Sequence, residues 1–144
     1  MTVTYRPLPA ATAVARSFAI TVGLSPGYTA SEPERSVAAA VAVHTDWMWE
    51  KITAGQPYLP GVFTPAVISY AWPRPDHGGV GGCAAEPGVV FSGEVSVLYQ
   101  ADLTDGNVVS LLNELAARFG EALDQTRVYV RFRDATWVLE AEEA

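Results

Sequence analysis

Apolar and polar residues alternate with the period of a β-strand in several separate stretches of this chain. Phe18, Ile20, Val22 and Leu24 alternate with Ser17, Ala19, Thr21 and Gly23, which predicts a half-buried strand ended by the turn residues Ser25-Pro26-Gly27. Ala66–Trp72 predicts a second strand, stopped by Pro73. Val89–Ala101 predicts a third, with Val89, Phe91, Val95, Val97 and Tyr99 in one phase and Val90, Ser92, Glu94, Ser96 and Gln100 in the other. In Arg127–Arg133 the phases are Val128, Val130 and Phe132 against Arg127, Tyr129, Arg131 and Arg133. After a turn at Asp134-Ala135-Thr136, Trp137–Glu140 can add a terminal strand.

Two stretches change to the helical period. From Glu32 to Thr53, Val37, Val41, His44, Met48 and Ile52 recur on one stripe; Ser31 is the expected cap, with Pro33 in the first turn and Gly55 and Pro57 as the stop. From Asn107 to Ala122, Val108, Leu111, Leu112, Leu115 and Phe119 form a second stripe, capped by Thr104 or Asp105. Residues 1–15 hold Pro7 and Pro9 and no clear period, so they are expected to form an arm, residues 16–140 the core of one domain, and residues 141–144 a frayed acidic tail. The order β-α-β-β-α-β resembles the ferredoxin-like split βαβ arrangement, an α+β fold in which two helices cover one face of an antiparallel sheet. The outline is similar to that of proteins of the PII and CutA kind, which also lengthen the loop between the second and third strands; a phosphate-binding glycine signature like theirs does not follow the second helix.

Length and composition narrow the function classes. The chain has 144 residues, 49% of them hydrophobic and 17% charged, enough for a packed core. With 9 Lys+Arg against 16 Asp+Glu the net charge is -7, which disfavours nucleic acid, because phosphate affinity comes from clustered bases. Cys83 is the only cysteine, so neither an intrachain disulfide nor a multi-cysteine zinc site can form within one chain. The longest apolar run, Val37–Val43, is too short to span a bilayer, and Arg6, Pro7 and Pro9 interrupt the place of a signal-peptide core, so a cytoplasmic protein is expected. No cofactor or metal is implied: His44 lies on a buried stripe and is followed four residues on by Met48 in place of a second ligand.

The candidate chemistry lies on the sheet face that the helices leave open, where Thr21, Ser92, Glu94, Ser96, Tyr129, Arg131 and Arg133 are expected. Two arginines two residues apart on a strand project from one face at roughly 7 Å, a spacing that grips one anion. In this reading Arg131 and Arg133 hold the negative group, Tyr129, Ser92 and Ser96 complete the binding surface, and Glu94 moves a proton. The loop from Arg74 to Gly88 carries Gly78, Gly79, Gly81 and Gly82, matches neither the Rossmann nor the Walker spacing, and brings His77 as a second acid/base. Trp47 and Trp49 are two residues apart on a helix and cannot share a core stripe, so one of them, Trp49, is expected at the surface or an interface. The expected protein is a small-molecule-binding homo-oligomer acting on a small organic anion by acid/base chemistry; the alternatives are a non-catalytic protein–protein interaction module and a nucleotide-sensing regulator. The same open face serves the interaction reading, with the arginines in interface ion pairs.

Overall fold

The computed structural model describes residues 2–26, 33–73 and 80–142. It is an α+β fold of the ferredoxin-like kind: β1 (Ser17–Gly23), α1 (Val37–Thr53), β2 (Val62–Trp72), β3 (Gly82–Glu94), α2 (Asp105–Ala122), β4 (Arg127–Phe132) and β5 (Ala135–Glu140). The five strands form one antiparallel sheet in the order β2-β3-β1-β4-β5. Both helices lie on one face, α1 against β2 and β3, and α2 against β1, β4 and β5. Among the described residues, no helix is long and apolar enough to cross a membrane.

The core forms where the strand and helix periods meet. Phe18, Ile20 and Val22 of β1, Val89 and Phe91 of β3, and Val128, Val130 and Phe132 of β4 point at the helices and are buried. Opposite them lie Ala40, His44 and Trp47 of α1 and the whole apolar stripe of α2. Phe91 is the junction: its ring lies 5.7 Å from Phe18, 5.0 Å from Phe63, 4.5 Å from His44 and 6.0 Å from Phe119, so it touches β1, β2, α1 and α2 at once. Trp47 is fully buried, whereas Trp49 is 65% exposed, as their spacing requires.

Polar groups at the helix ends and between the helices are paired. Ser36 accepts from the Ala39 N–H at the start of α1, and Thr104 and Asn107 form a capping box at the start of α2. The Glu114 carboxylate receives the Trp47 Nε1–H at 2.9 Å and the Lys51 ammonium, which ties α2 to α1. Burial pushes Glu114 up, but the hydrogen bonds from Lys51 and Trp47 outweigh it and hold the group below its ordinary value. Arg118 spans the same gap to reach Glu50.

Several element boundaries differ from the sequence expectation. Helix α1 starts at Val37, not Glu32, because the backbone N–H of Arg35 is held by Leu24 O at 2.7 Å and Ser36 takes an extended capping conformation; Ser31 and Glu32 fall outside the described residues. Strand β2 begins at Val62 and runs through Pro65, which is tolerated because β2 is an edge strand with one side free of the ladder. Strand β3 begins at Gly82, so the second half of the expected glycine loop is strand, and it ends at Glu94 instead of Ala101. At its start a Cβ on Gly82 would stand 2.5 Å from the Trp72 ring, so the glycine lets the indole lie on the cross-strand backbone. Past its end, Gln100 N–H bonds Ser96 O and the chain turns towards α2.

Phe91→Ala is expected to cost about 3–5 kcal/mol in urea unfolding, and Trp49→Ala no more than about 0.5 kcal/mol. His44 gives a second test. Its Nε2–H donates to Leu59 O at 2.8 Å, and burial lowers its pKa below the ordinary 6.5 despite that bond. The unfolded chain therefore binds the extra proton first. Unfolding free energy should fall as the pH drops below about 6.5 and level off below the lowered folded value. His44→Gln should flatten this limb of the profile.

Candidate functional site

The helix-free face of the sheet holds the candidate site. Its centre is a grid of rows set by the strand register. Ser92, Ala19, Arg131 and Thr136 form one row across β3, β1, β4 and β5, and Val90, Thr21, Tyr129 and Val138 form the next. Arg131, Tyr129 and Thr21 line a shallow depression of about 460 Å³ over these rows.

The other expected site residues are dispersed. Glu94 ends β3 beside Ser17, whose hydroxyl donates to its carboxylate at 2.5 Å. Arg133 leaves the strand: β4 ends at Phe132, and Arg133 takes φ 55° in the two-residue turn to β5. Its guanidinium reaches Asp105 at 3.1 Å at the start of α2, where Arg16 also binds at 3.3 Å. The two-arginine grip expected on one face is therefore not formed. The reason is the hairpin, which needs a left-handed residue where simple alternation would continue the strand. Ser96 lies beyond β3, where its hydroxyl accepts from the Tyr99 N–H. His77, Gly78 and Gly79 lie outside the described residues.

A more enclosed pocket of about 300 Å³ opens at the Gly23 end of β1. Ile68, Tyr70 and Trp72 of β2 form one wall, and Arg127 and Tyr129 of β4 form the other. Glu86 of β3 and Gln125, just before β4, form the floor over Gly23. A Cβ added to Gly23 would lie 2.5 Å from Gln125 Oε1 and 2.7 Å from Glu86 Oε1, so the glycine creates the space in which these two oxygens converge.

The donors on the Gln125 amide are already committed. Its Nε2 donates to Ser25 O at 2.7 Å and to Leu123 O at 3.1 Å, which leaves Oε1 as an acceptor facing Glu86. Burial pushes the Glu86 carboxyl above its ordinary value. Two convergent acceptors beside the rings of Tyr70, Trp72 and Tyr129 suit a ligand that carries positive charge or donates hydrogen bonds. Arg127, on the opposite wall, is turned to Glu140 at 3.2 Å. Among the described residues, no cluster of His, Cys, Asp and Glu is suited to a metal ion.

Of the expected site residues that are described, only Tyr129 lines this pocket. Glu86, Gln125 and Tyr70 were not anticipated. One sequence signal pointed to Glu86: it is in phase with Val90, Ser92 and Glu94, provided the third strand is extended back to Gly82. Gln125 gave no such signal, because it acts from a turn.

No protein-family model matches the chain, and no curated protein matches it. Two solved structures share its fold over nearly the whole length. One is a phage SAM lyase in complex with S-methyl-5'-thioadenosine, 16% identical, with 97% of each chain covered and a TM-score of 0.61. The other is a phage SAM lyase in its apo state, 15% identical, with 99% of each chain covered and a TM-score of 0.60. At that identity the likeness is one of fold.

The pocket floor predicts its own pH response. The folded state holds a proton on Glu86 more tightly than the unfolded chain does, so this group lowers stability as the pH rises through its folded pKa. Glu86→Gln should raise the melting temperature slightly at pH 7, and the difference should vanish only well below the ordinary 4.5, where both states are protonated.

Proposed function

We propose that the chain is an enzyme that binds S-adenosylmethionine in the Glu86–Gln125 pocket and cleaves it to S-methyl-5'-thioadenosine. The observation that carries this reading is the acceptor pair over Gly23 beneath aromatic walls. The likeness in fold to a SAM lyase in complex with S-methyl-5'-thioadenosine supports it. A sulfonium is a fixed cation without a proton to give. It is held by carboxylate charge and by aromatic faces, and Glu86, Tyr70, Trp72 and Tyr129 offer both. This ligand replaces the organic anion expected from paired arginines, since Arg133 is committed to Asp105.

In this mechanism the sulfur–carbon bond to the amino-acid chain breaks, and both of its electrons pass to sulfur. The sulfonium becomes a neutral thioether. A lyase adds no water, so the four-carbon fragment must supply the rest. Either its own carboxylate closes on the carbon that sulfur leaves, or the neighbouring carbon gives up a proton, for which Glu86 is the nearest base in the pocket floor. Loss of charge at sulfur weakens the attraction to Glu86, which favours product release. Aromatic and aliphatic side chains that remain uncovered on the sheet, including Trp72 and Val138, support self-association in the same reading.

Incubation of the purified chain with S-adenosylmethionine should release S-methyl-5'-thioadenosine, measured by chromatography with mass detection. The column retention of the four-carbon partner and its reactivity towards alkali then decide between ring closure and elimination, which give isomers of equal mass. Glu86→Gln should lower kcat/KM by about 10²-fold or more. Arg133→Ala, remote from the pocket, should leave it within a factor of about 2. Absence of turnover together with absence of a ligand-induced melting shift would sink this reading.

A further inference from the structure

The outer edge of β2 is eleven residues long, Val62–Trp72, and carries no charged residue. Beyond Ala66 it runs with β3 as a two-stranded ribbon, because β1 pairs with β3 only as far as Gly88. Val67 on this ribbon is 77% exposed, and Tyr70 and Trp72 are also exposed. A long uncharged edge is a template for another strand, and folded proteins protect such edges with charge or cover them. Pro65 interrupts only one position of it. The opposite edge, β5, is shorter and carries Glu140.

The same chain holds a strand-compatible segment with nothing to pair with among the described residues. Thr2-Val3-Thr4-Tyr5 is made of β-branched and aromatic residues. Val3, Leu8 and Val14 are exposed, and Tyr5 is 91% exposed. The hydrogen bonds of the arm are local ones around the short turn Pro9–Ala11. The arm is nonetheless fixed at its root. Arg16 O accepts from the Val95 N–H, and the Arg16 guanidinium binds Leu103 O at 2.7 Å. These bonds place the segment that follows β3 beside the root, and the arm departs from the Ser17 end of the sheet, opposite to the end where the ribbon projects. Fully extended, residues 2–15 reach roughly 45 Å. The arm's one charged residue, Arg6, is a base on a chain of net charge -7, so a second copy attracts it.

We infer that the outer edge of β2 is the docking site for the Thr2–Tyr5 segment of a second copy of this chain, added as a further strand. Among the described residues the edge lacks a strand and the arm lacks a sheet, so a second copy satisfies both. Backbone ladder bonds would supply the affinity, and the side chains of Val3 and Tyr5 would cover the ribbon. This inference does not depend on the enzymatic reading.

The test uses the full chain with a photo-crosslinking residue in place of Tyr5, mixed from isotopically heavy and light preparations. The expected result is heavy–light crosslinks between position 5 and residues 62–72, and a solution mass by light scattering that is a multiple of 15.4 kDa. Deletion of residues 2–15, or Thr4→Pro, should shift the association midpoint to at least tenfold higher protein concentration, with far-UV circular dichroism retained for Thr4→Pro. Crosslinks confined to one chain, crosslinks that avoid residues 62–72, or a full chain that stays monomeric at 100-fold excess over assay concentration would each overturn the inference. Loss of S-adenosylmethionine cleavage alone, with the crosslinks intact, would count against the proposed function and leave the docking site standing.

Discussion

The packing of the Phe91 ring is the constraint on which the rest of this structure depends. From the middle of β3 it touches both neighbouring strands and both helices, through Phe18, Phe63, His44 and Phe119. A strand with one residue fixed inward has every other residue fixed too, because the side-chain period is two. With Phe91 inside, Val90, Ser92, Glu94 and Glu86 must face away from the helices. A one-residue slip would exchange the two sets and bury a carboxylate in an aromatic core. The chemistry on the open face is thus set by a packing decision on the other.

That open face is divided by charge. At the Ser17 end, polar groups are paired with one another: Glu94 takes the Ser17 hydroxyl, and Asp105 holds both Arg16 and Arg133. These pairs are at the surface and contribute little stability, but they withdraw the groups from ligand binding. At the Gly23 end the balance is reversed. Gln125 spends its donors on backbone carbonyls, and Glu86 is left with acceptors and rings for neighbours. The two ends differ less in residue type than in which groups already have partners.

The uncovered apolar surface follows from the same architecture. Two helices cannot cover a five-stranded sheet whose β2–β3 ribbon extends beyond them, and the ribbon holds almost no charge. Small domains have little spare core with which to support such a ribbon. Glu86 is the one charged residue among the described residues of the ribbon beyond Ala66, so its exposed surface is otherwise apolar or uncharged.

The sequence alone determined the element types, their order and the inward phases of β1, α2 and β4; on α1 the expected stripe is rotated, with Val41 and Ile52 exposed and Ala40 and Trp47 buried beside His44. Periods of two and 3.6 depend only on which side of each element must leave water, and the α+β, ferredoxin-like reading follows from them. It also determined that Trp47 and Trp49 must part, and that His44 is a core residue. Its site residues were less legible. Alternation alone puts Tyr129 on the pocket face, but it carries Arg133 one residue too far, because the turn expected at Asp134-Ala135-Thr136 begins at Arg133, which takes the left-handed conformation. Ser96 was misplaced for the same reason, by continuing a strand past Glu94. Glu86 and Gln125 come together only in the tertiary structure. They are far apart in the chain, one on a strand and one in a turn, and what joins them is a missing side chain at Gly23, at the end of a third element. A sequence shows what each residue can offer; only the packed chain decides which offers are already taken.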